Sequence, residues 1–446
     1  MSVRYPLGHV FYRNLHRSYP VIKSGRGIYL YGSRGKEFLD ASGGAAVANI
    51  GHGLPEIARA MALQAGQVAY LSGLQFSHDP VENLAERISQ FLPFPDGRIY
   101  FLTSGSEVVE AAIKLAMQYW VERGQDRKHL MISCNPSYHG NTLAALSLSG
   151  RRHYQEAFQP LLIRSAKIPA AYCYRCAWNL DYPGCGIRCG LELEREIERR
   201  GAEEVSAFIV EVIGGATTGA SVPPPEYFKI VRETCDRRGV LLIADEIMTG
   251  VGRTGKWLAS HHFDLVPDMI TMGKGLTGGY FPLSALAVKK EIVAQIQAKG
   301  RNFLHAQTYS HHPVGCAVGL AALDYIDQHD LVERSAARGE QLLVELSPLF
   351  SHPRVGDIRG KGLLIGVEFV EEKAEKKPFP RAKRYAETFF EECLAEGLVV
   401  WPNVGQADGT NGDLILLAPP FIVEPEELTL IVEKLGRVLA RMSKTC

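Results

Sequence analysis

Three patterns of apolar residues follow one another along this chain. Up to about residue 60, short strand-like pieces such as Gly27-Ile28-Tyr29-Leu30-Tyr31-Gly32 alternate with turns. They end in the glycine-rich stretches Ser42-Gly43-Gly44 and Gly51-His52-Gly53. From roughly 80 to 320, short apolar runs alternate with segments of helical period, the signature of parallel βαβ units. The runs predict strands at Ile99–Leu102, Leu130–Ile132, Ala207–Val210, Val240–Ala244 and Ser284–Val288. Glu107 to Val121 predicts a helix, because Val108, Ala111, Ala112, Leu115 and Ala116 recur at helical spacing. Beyond 320 come a helix over about 314–328, the apolar run Gly362–Phe369, a helix near 380–396 and a last helix from Glu426. The expected fold class is α/β with a second, smaller α+β domain. The expected division is an N-terminal segment 1–60 joining the small domain, a large domain 61–318 and a C-terminal domain 319–446. No internal repeat is visible, and the charged run 371–378 reads as a solvated loop.

Composition narrows the picture without deciding it. A chain of 446 residues exceeds one small domain, and 46% apolar with 22% charged residues is ordinary for a globular protein. Basic and acidic residues balance at 49 each, so bulk charge favours neither nucleic acid nor an anionic membrane. No apolar run approaches the roughly 20 residues that span a bilayer. The first twenty residues lack the apolar core of a signal peptide. Nine cysteines, an odd count, argue against a secreted disulfide framework. A cytosolic enzyme without a nucleic-acid or membrane partner is expected.

The chemistry is carried by a lysine and an acid. Lys274 lies in the turn Met272-Gly273-Lys274-Gly275-Leu276 after the apolar run Met269-Ile270-Thr271. The run Val240–Ala244 reads as a buried strand ending in Asp245-Glu246. A lysine in a tight backbone can form a Schiff base with pyridoxal phosphate, and a carboxylate can keep the pyridine nitrogen protonated. Burying a carboxylate costs several kcal/mol unless it is paired, so a pyridinium partner gives Asp245 a reason; a structural ion pair with an arginine is the other reading. Thr103-Ser104-Gly105-Ser106-Glu107 opens the predicted helix and reads either as a phosphate cradle or as a helix cap. Tyr138-His139-Gly140 places an aromatic beside a glycine, where it could stack on a flat heterocycle or simply pack.

Other strings point elsewhere. Residues 273–278 match G-x-G-x-x-G but do not open a long helix in a first βαβ unit. Residues 250–256 approach a phosphate-binding P-loop, yet Trp257 stands where the magnesium-binding hydroxyl is required. The pairs His261-His262 and His311-His312 read as structural or solvent-facing. Cys173-x-x-Cys176, Cys185 and Cys189 resemble zinc-site spacing. So large a fold needs no structural metal, and the expectation is none.

The runs Ile243–Gly255 and Met272–Gly275, with Thr103–Glu107, Ala111–Ala116 and Tyr138–Gly140, resemble the class III aminotransferases from about residue 20 to the C-terminus. The resemblance implies a fold-type-I pyridoxal phosphate enzyme with a mainly parallel seven-stranded sheet, a homodimer with sites at the subunit interface. By position it implies Lys274 as the Schiff-base lysine and Asp245 as partner of the pyridine nitrogen. Gly105 and Ser106 would bind phosphate, Tyr138 would stack on the ring, Ile247 would pack on its opposite face, and His139 belongs to the same cofactor set. Glu211 matches an acid near the substrate, and Thr308 the position that reaches the other subunit's phosphate. Phe76 is expected to line the partner's pocket. Leu416 stands where relatives acting on α-amino acids or 2-oxoglutarate carry an arginine, and Met248 where many carry glutamine. Losing a bidentate carboxylate clamp points to amines or ω-amino acids with pyruvate. A decarboxylase or aminomutase of the same family is the alternative. A metal-linked interaction module would leave Lys274 and Asp245 unexplained.

Overall fold

A computed structural model describes residues 2–4 and 8–443. Its centre is a seven-stranded sheet, whose strands are numbered here in chain order: β1 Arg98–Leu102, β2 Leu130–Asn135, β3 Ser165–Pro169, β4 Val205–Glu211, β5 Leu241–Asp245, β6 Met269–Met272 and β7 Ser284–Val288. Their spatial order is β1-β7-β6-β5-β4-β2-β3. The β3–β2, β2–β4, β4–β5 and β5–β6 pairings are parallel, while β7 runs antiparallel between β6 and β1.

Near-continuous apolar runs make these strands because both faces are covered. Leu241 and Ile243 of β5, with Ala207 and Ile209 of β4, enter a core that includes Val108, Ala112 and Leu115 of the helix Gly105–Glu122 (α1). The intervening Leu242, Ala244, Phe208 and Val210 enter the opposite core, beside Leu193, Ile197, Tyr227 and Phe228 of the helices Arg188–Arg200 (α2) and Tyr227–Arg238 (α3). This is the α/β, mainly parallel seven-stranded arrangement expected. Two strands are absent from the sequence reading: β6, read only as an apolar run before Lys274, and β3, an edge strand whose residues alternate half-buried and buried. Its polar Ser165 and Lys167 hide the apolar pattern.

Toward the C-terminus, Val355–Lys361, Leu364–Phe369, Asp413–Leu417 and Trp401–Val404 form a four-stranded antiparallel sheet in that order. Helices Pro313–Gln328, Leu331–Leu346, Tyr385–Ala395 and Pro425–Met442 accompany it. A further sheet runs Leu398–Val399, Glu37–Asp40, Tyr29–Gly32 and Ile22–Arg26, so the N-terminal segment pairs with a strand near residue 398. Among the described residues no helix is long and apolar enough to cross a membrane.

Candidate active site

The carboxyl ends of β4 and β5 set the position of the site, as parallel sheets direct ligands to that edge. Strand alternation decides which acid faces where. Asp245 shares its parity with Leu241 and Ile243, and Glu211 with Ala207 and Ile209; both therefore face the α1 side, in direct register with each other. Glu246, one residue on, points away. Its buried carboxylate accepts hydrogen bonds from the backbone N–H of Ala259 (3.0 Å) and Ser260 (2.7 Å) and from the Ser260 hydroxyl (2.8 Å), so it fastens a loop.

Asp245 is 4% exposed. Its Oδ1 accepts from Ile247 N (3.1 Å), and its Oδ2 lies 2.7 Å from His139 Nδ1. His139 is itself buried, and its Nε2 has no hydrogen-bond partner among the described residues. No arginine or lysine pairs with Asp245 among the described residues, which removes the ion-pair reading of this acid. Glu211 accepts from Tyr138 N (3.1 Å), Gly215 N (3.0 Å) and Thr217 Oγ1 (3.2 Å). Burial, assisted by Asp245, raises its pKa.

Lys274 follows β6 at φ +44°, a left-handed conformation uncommon outside glycine. Desolvation lowers its pKa from 10.5 to about 8, with Asp245 and Glu211 opposing the shift. One cavity is lined by Ser104, Gly105, Ser106, Tyr138, His139, Gly140, Glu211, Asp245, Ile247, Met248 and Lys274 together. The structure thus brings together every residue expected to hold the cofactor but Thr308.

At the start of α1 the cap and the cradle coexist. Ser104 accepts from Glu107 N, and the Glu107 carboxylate accepts from Ser104 N, a complete capping box. The next two residues, Gly105 and Ser106, line the cavity. A Cβ on Gly105 would stand 3.1 Å from Ile247 Cδ1, so glycine keeps the helix end close to the cavity wall. Ser106 Oγ accepts from Asn141 N at 2.9 Å.

Thr308 lies in a different cavity of its own chain, with Tyr70, Tyr100, His305 and Gln307, and its carbonyl accepts from the Tyr70 hydroxyl at 2.9 Å. Phe76 is 64% exposed and lines no part of the Lys274 cavity. Leu416 is buried within its sheet opposite Gly366 and Trp401. Met248 lines the cavity beside Gly215. The glycine-rich loop 250–256 serves Arg253, which is buried and donates to the carbonyls of Leu363 (3.0 Å) and Pro419 (2.7 Å). Sequence reasoning missed Arg253, although an arginine inside so apolar a surrounding is a signal of a carbonyl clamp. His262 bonds the Thr254 carbonyl and His312 caps the helix Pro313–Gln328, both structural roles. Cys173, Cys176, Cys185 and Cys189 are free thiols, and among the described residues no group of three or more His, Cys, Asp or Glu is arranged to hold a metal ion.

Comparison with known proteins agrees with this geometry. The family model "Aminotransferase class-III" matches residues 11–439. An uncharacterized aminotransferase of Bacillus subtilis is 37% identical over 96% of this chain and 97% of its own. The putrescine–pyruvate aminotransferase of Pseudomonas aeruginosa is 31% identical, covering 92% of this chain and 88% of that one. The crystal structure of a thermostable (S)-enantioselective omega-transaminase from Thermomicrobium roseum superposes with a TM-score of 0.91 at 34% identity, covering 97% of this chain and 96% of that one. The chain belongs to the class III aminotransferases, a family that works with pyridoxal phosphate.

Proposed function

We propose that this enzyme moves an amino group from an amine or ω-amino acid to a keto acid such as pyruvate, acting as a homodimer with Lys274 as its central residue. The observation that carries the reading is a lysine amine of lowered pKa sharing one cavity with a buried carboxylate that, among the described residues, pairs with no arginine or lysine. The residues fit pyridoxal phosphate. Gly105 and Ser106 offer a helix N-terminus for its phosphate, where backbone N–H groups and the helix dipole favour an anion. Asp245 offers a fixed negative charge for its ring nitrogen, and Tyr138 and Ile247 would flank its ring. When bound, the cofactor supplies an electron sink for the carbon that loses a proton.

The remaining work falls to the chain. Lys274 would anchor the cofactor covalently and, once displaced by the donor amine, take the proton from the donor's amine-bearing carbon at Nζ. A pKa of about 8 leaves a useful fraction of neutral amine at physiological pH, as an acid–base group requires. His139 and Ile247 N hold the Asp245 carboxylate in one orientation, so no reorganisation is needed as charge develops. Thr308 would complete the phosphate site of the second subunit. The family member from P. aeruginosa, named for putrescine and pyruvate, and the omega-transaminase neighbours support the choice of substrates, as does Leu416 in place of an arginine.

The test is a panel of amines, β-alanine, 4-aminobutyrate, taurine and α-amino acids offered with pyruvate, reading alanine formation. Alanine from amines or ω-amino acids supports the reading. Turnover confined to α-amino acids with 2-oxoglutarate, or carbon dioxide release without an acceptor, would replace it.

A further inference from the structure

One aromatic ring away from the cavity lies a cluster the reaction above does not use. Tyr138, a lining residue, meets Tyr154 with ring centroids 6.4 Å apart at 74°. The guanidinium of Arg13 stands 5.1 Å from the centre of the Tyr154 ring, and that of Arg151 5.0 Å. Both arginines donate to the Tyr154 hydroxyl, Arg13 at 2.8 Å and Arg151 at 3.3 Å. Neither forms an ion pair among the described residues. The acid facing Arg151 is Glu211, whose carboxylate is already engaged by Tyr138 N, Gly215 N and Thr217. Arg13 opposes the charge on Arg151, and His153 alongside feels Arg151, Arg381 and Arg13, with Glu156 against them. The segment is held in place by Gln155, which donates to the carbonyls of Leu146 (2.8 Å) and Ser149 (2.6 Å).

Two cations on one tyrosine, with no ion-pair partner among the described residues and only Glu211 facing Arg151 at longer range, leave room for an anion between them. The Tyr154 oxygen accepts twice and keeps its own hydrogen free to donate. Two guanidinium groups and a hydroxyl make a set of donors suited to a carboxylate. Position 416 is leucine here, so it offers a carboxylate no charge.

We propose that Arg13, Arg151 and the Tyr154 hydroxyl form the seat for the distal carboxylate of an ω-amino acid donor. Lys274 lines the cavity and the arginines lie beyond Tyr138, so the acid must be several bonds from the amine. The inference rests on the transamination reading and narrows its donor to an acid-bearing one.

The experiment compares wild-type, Arg151→Leu and Arg151→Lys holoenzymes with 4-aminobutyrate and with butylamine, its counterpart lacking the acid, at saturating pyruvate. The ratio of kcat/KM for 4-aminobutyrate over butylamine is expected to fall roughly 10- to 100-fold in Arg151→Leu, the size of a lost charge-assisted contact, and to recover in part with lysine. Calorimetric binding of butyrate, an unreactive acid of the same length, should weaken by a similar factor. Equal losses for both donors, or unchanged butyrate binding, would overturn the seat. If wild type turns over neither donor, the transamination reading fails, and butyrate binding alone decides whether the seat exists.

Discussion

Among the carboxylates this protein buries, Glu368 and Asp245 lie in regions that treat them in opposite ways. At the junction of the residue 172–176 segment with the C-terminal antiparallel sheet, Glu368 is fully buried and saturated. It accepts from Arg175 Nε at 2.5 Å, from Arg359 Nη2 at 2.7 Å and from the Tyr172 hydroxyl. Arg359 donates in addition to Asp357 (2.7 Å) and to the Thr218 carbonyl (2.6 Å). The two arginines overcome burial and hold the Glu368 pKa below its ordinary value. Asp245, at the end of β5, has one histidine and one backbone N–H for company. The difference separates a charge used for cohesion from one left available: the fold neutralises the first itself and leaves the second open to a ligand.

The contrast breaks most sharply at Lys274. Lys274→Ala removes both the covalent anchor and the proton carrier, so turnover should fall roughly 10⁴-fold, with folding unharmed. A variant that stays active at a few per cent of wild type would show that the open acid is not serving this amine. Glu368→Ala should do the reverse. Leaving Arg359 and Arg175 buried without their acid costs about 3–5 kcal/mol, read as a lowered denaturation midpoint, while kcat of the folded fraction holds. Asp245→Asn keeps the shape and the contact with His139 but loses the charge. Activity is expected to drop about 10²–10³-fold, with stability changed by no more than about 1 kcal/mol. Equal stability losses for the two acids would erase the distinction between them. The smallest effect is on pH. Only neutral amine attacks an aldehyde, so cofactor uptake by the apoprotein should rise with pH through about 8 and then level, rather than climb toward 10.5. Stopped-flow uptake measured between pH 6 and 10 checks the midpoint.

Much of the Asp245 region was legible in the chain because its chemistry is local. An apolar run ending in an acid, a lysine among glycines and a serine-rich helix start each sit within a few residues, and strand parity places Asp245 and Glu211 on one face. The Glu368 region was opaque for the opposite reason. Tyr172, Arg175, Arg359 and Glu368 are separated by up to 196 residues, and no spacing links them. The same holds for Arg13 and Tyr154, which are 141 residues apart. The edge strand β3 escaped because Ser165 and Lys167 interrupt its apolar run, although the Lys167 amine folds back onto Ser133 and Ser147. Thr308 marks a different limit: its expected partner belongs to a second subunit, and one chain holds it against Tyr70 instead.

Lowered basicity alone does not identify the reactive lysine. Burial pushes Lys167 down to about 7, further than Lys274, yet its amine donates to Ser133 Oγ (2.7 Å) and the Ser147 carbonyl (2.9 Å) and lines no part of the cavity. Borohydride reduction of the holoenzyme followed by peptide mass mapping separates the two directly. The account predicts one phosphopyridoxyl adduct per chain, on the peptide carrying Lys274; an adduct on Lys167 or any other lysine, or none, would contradict it.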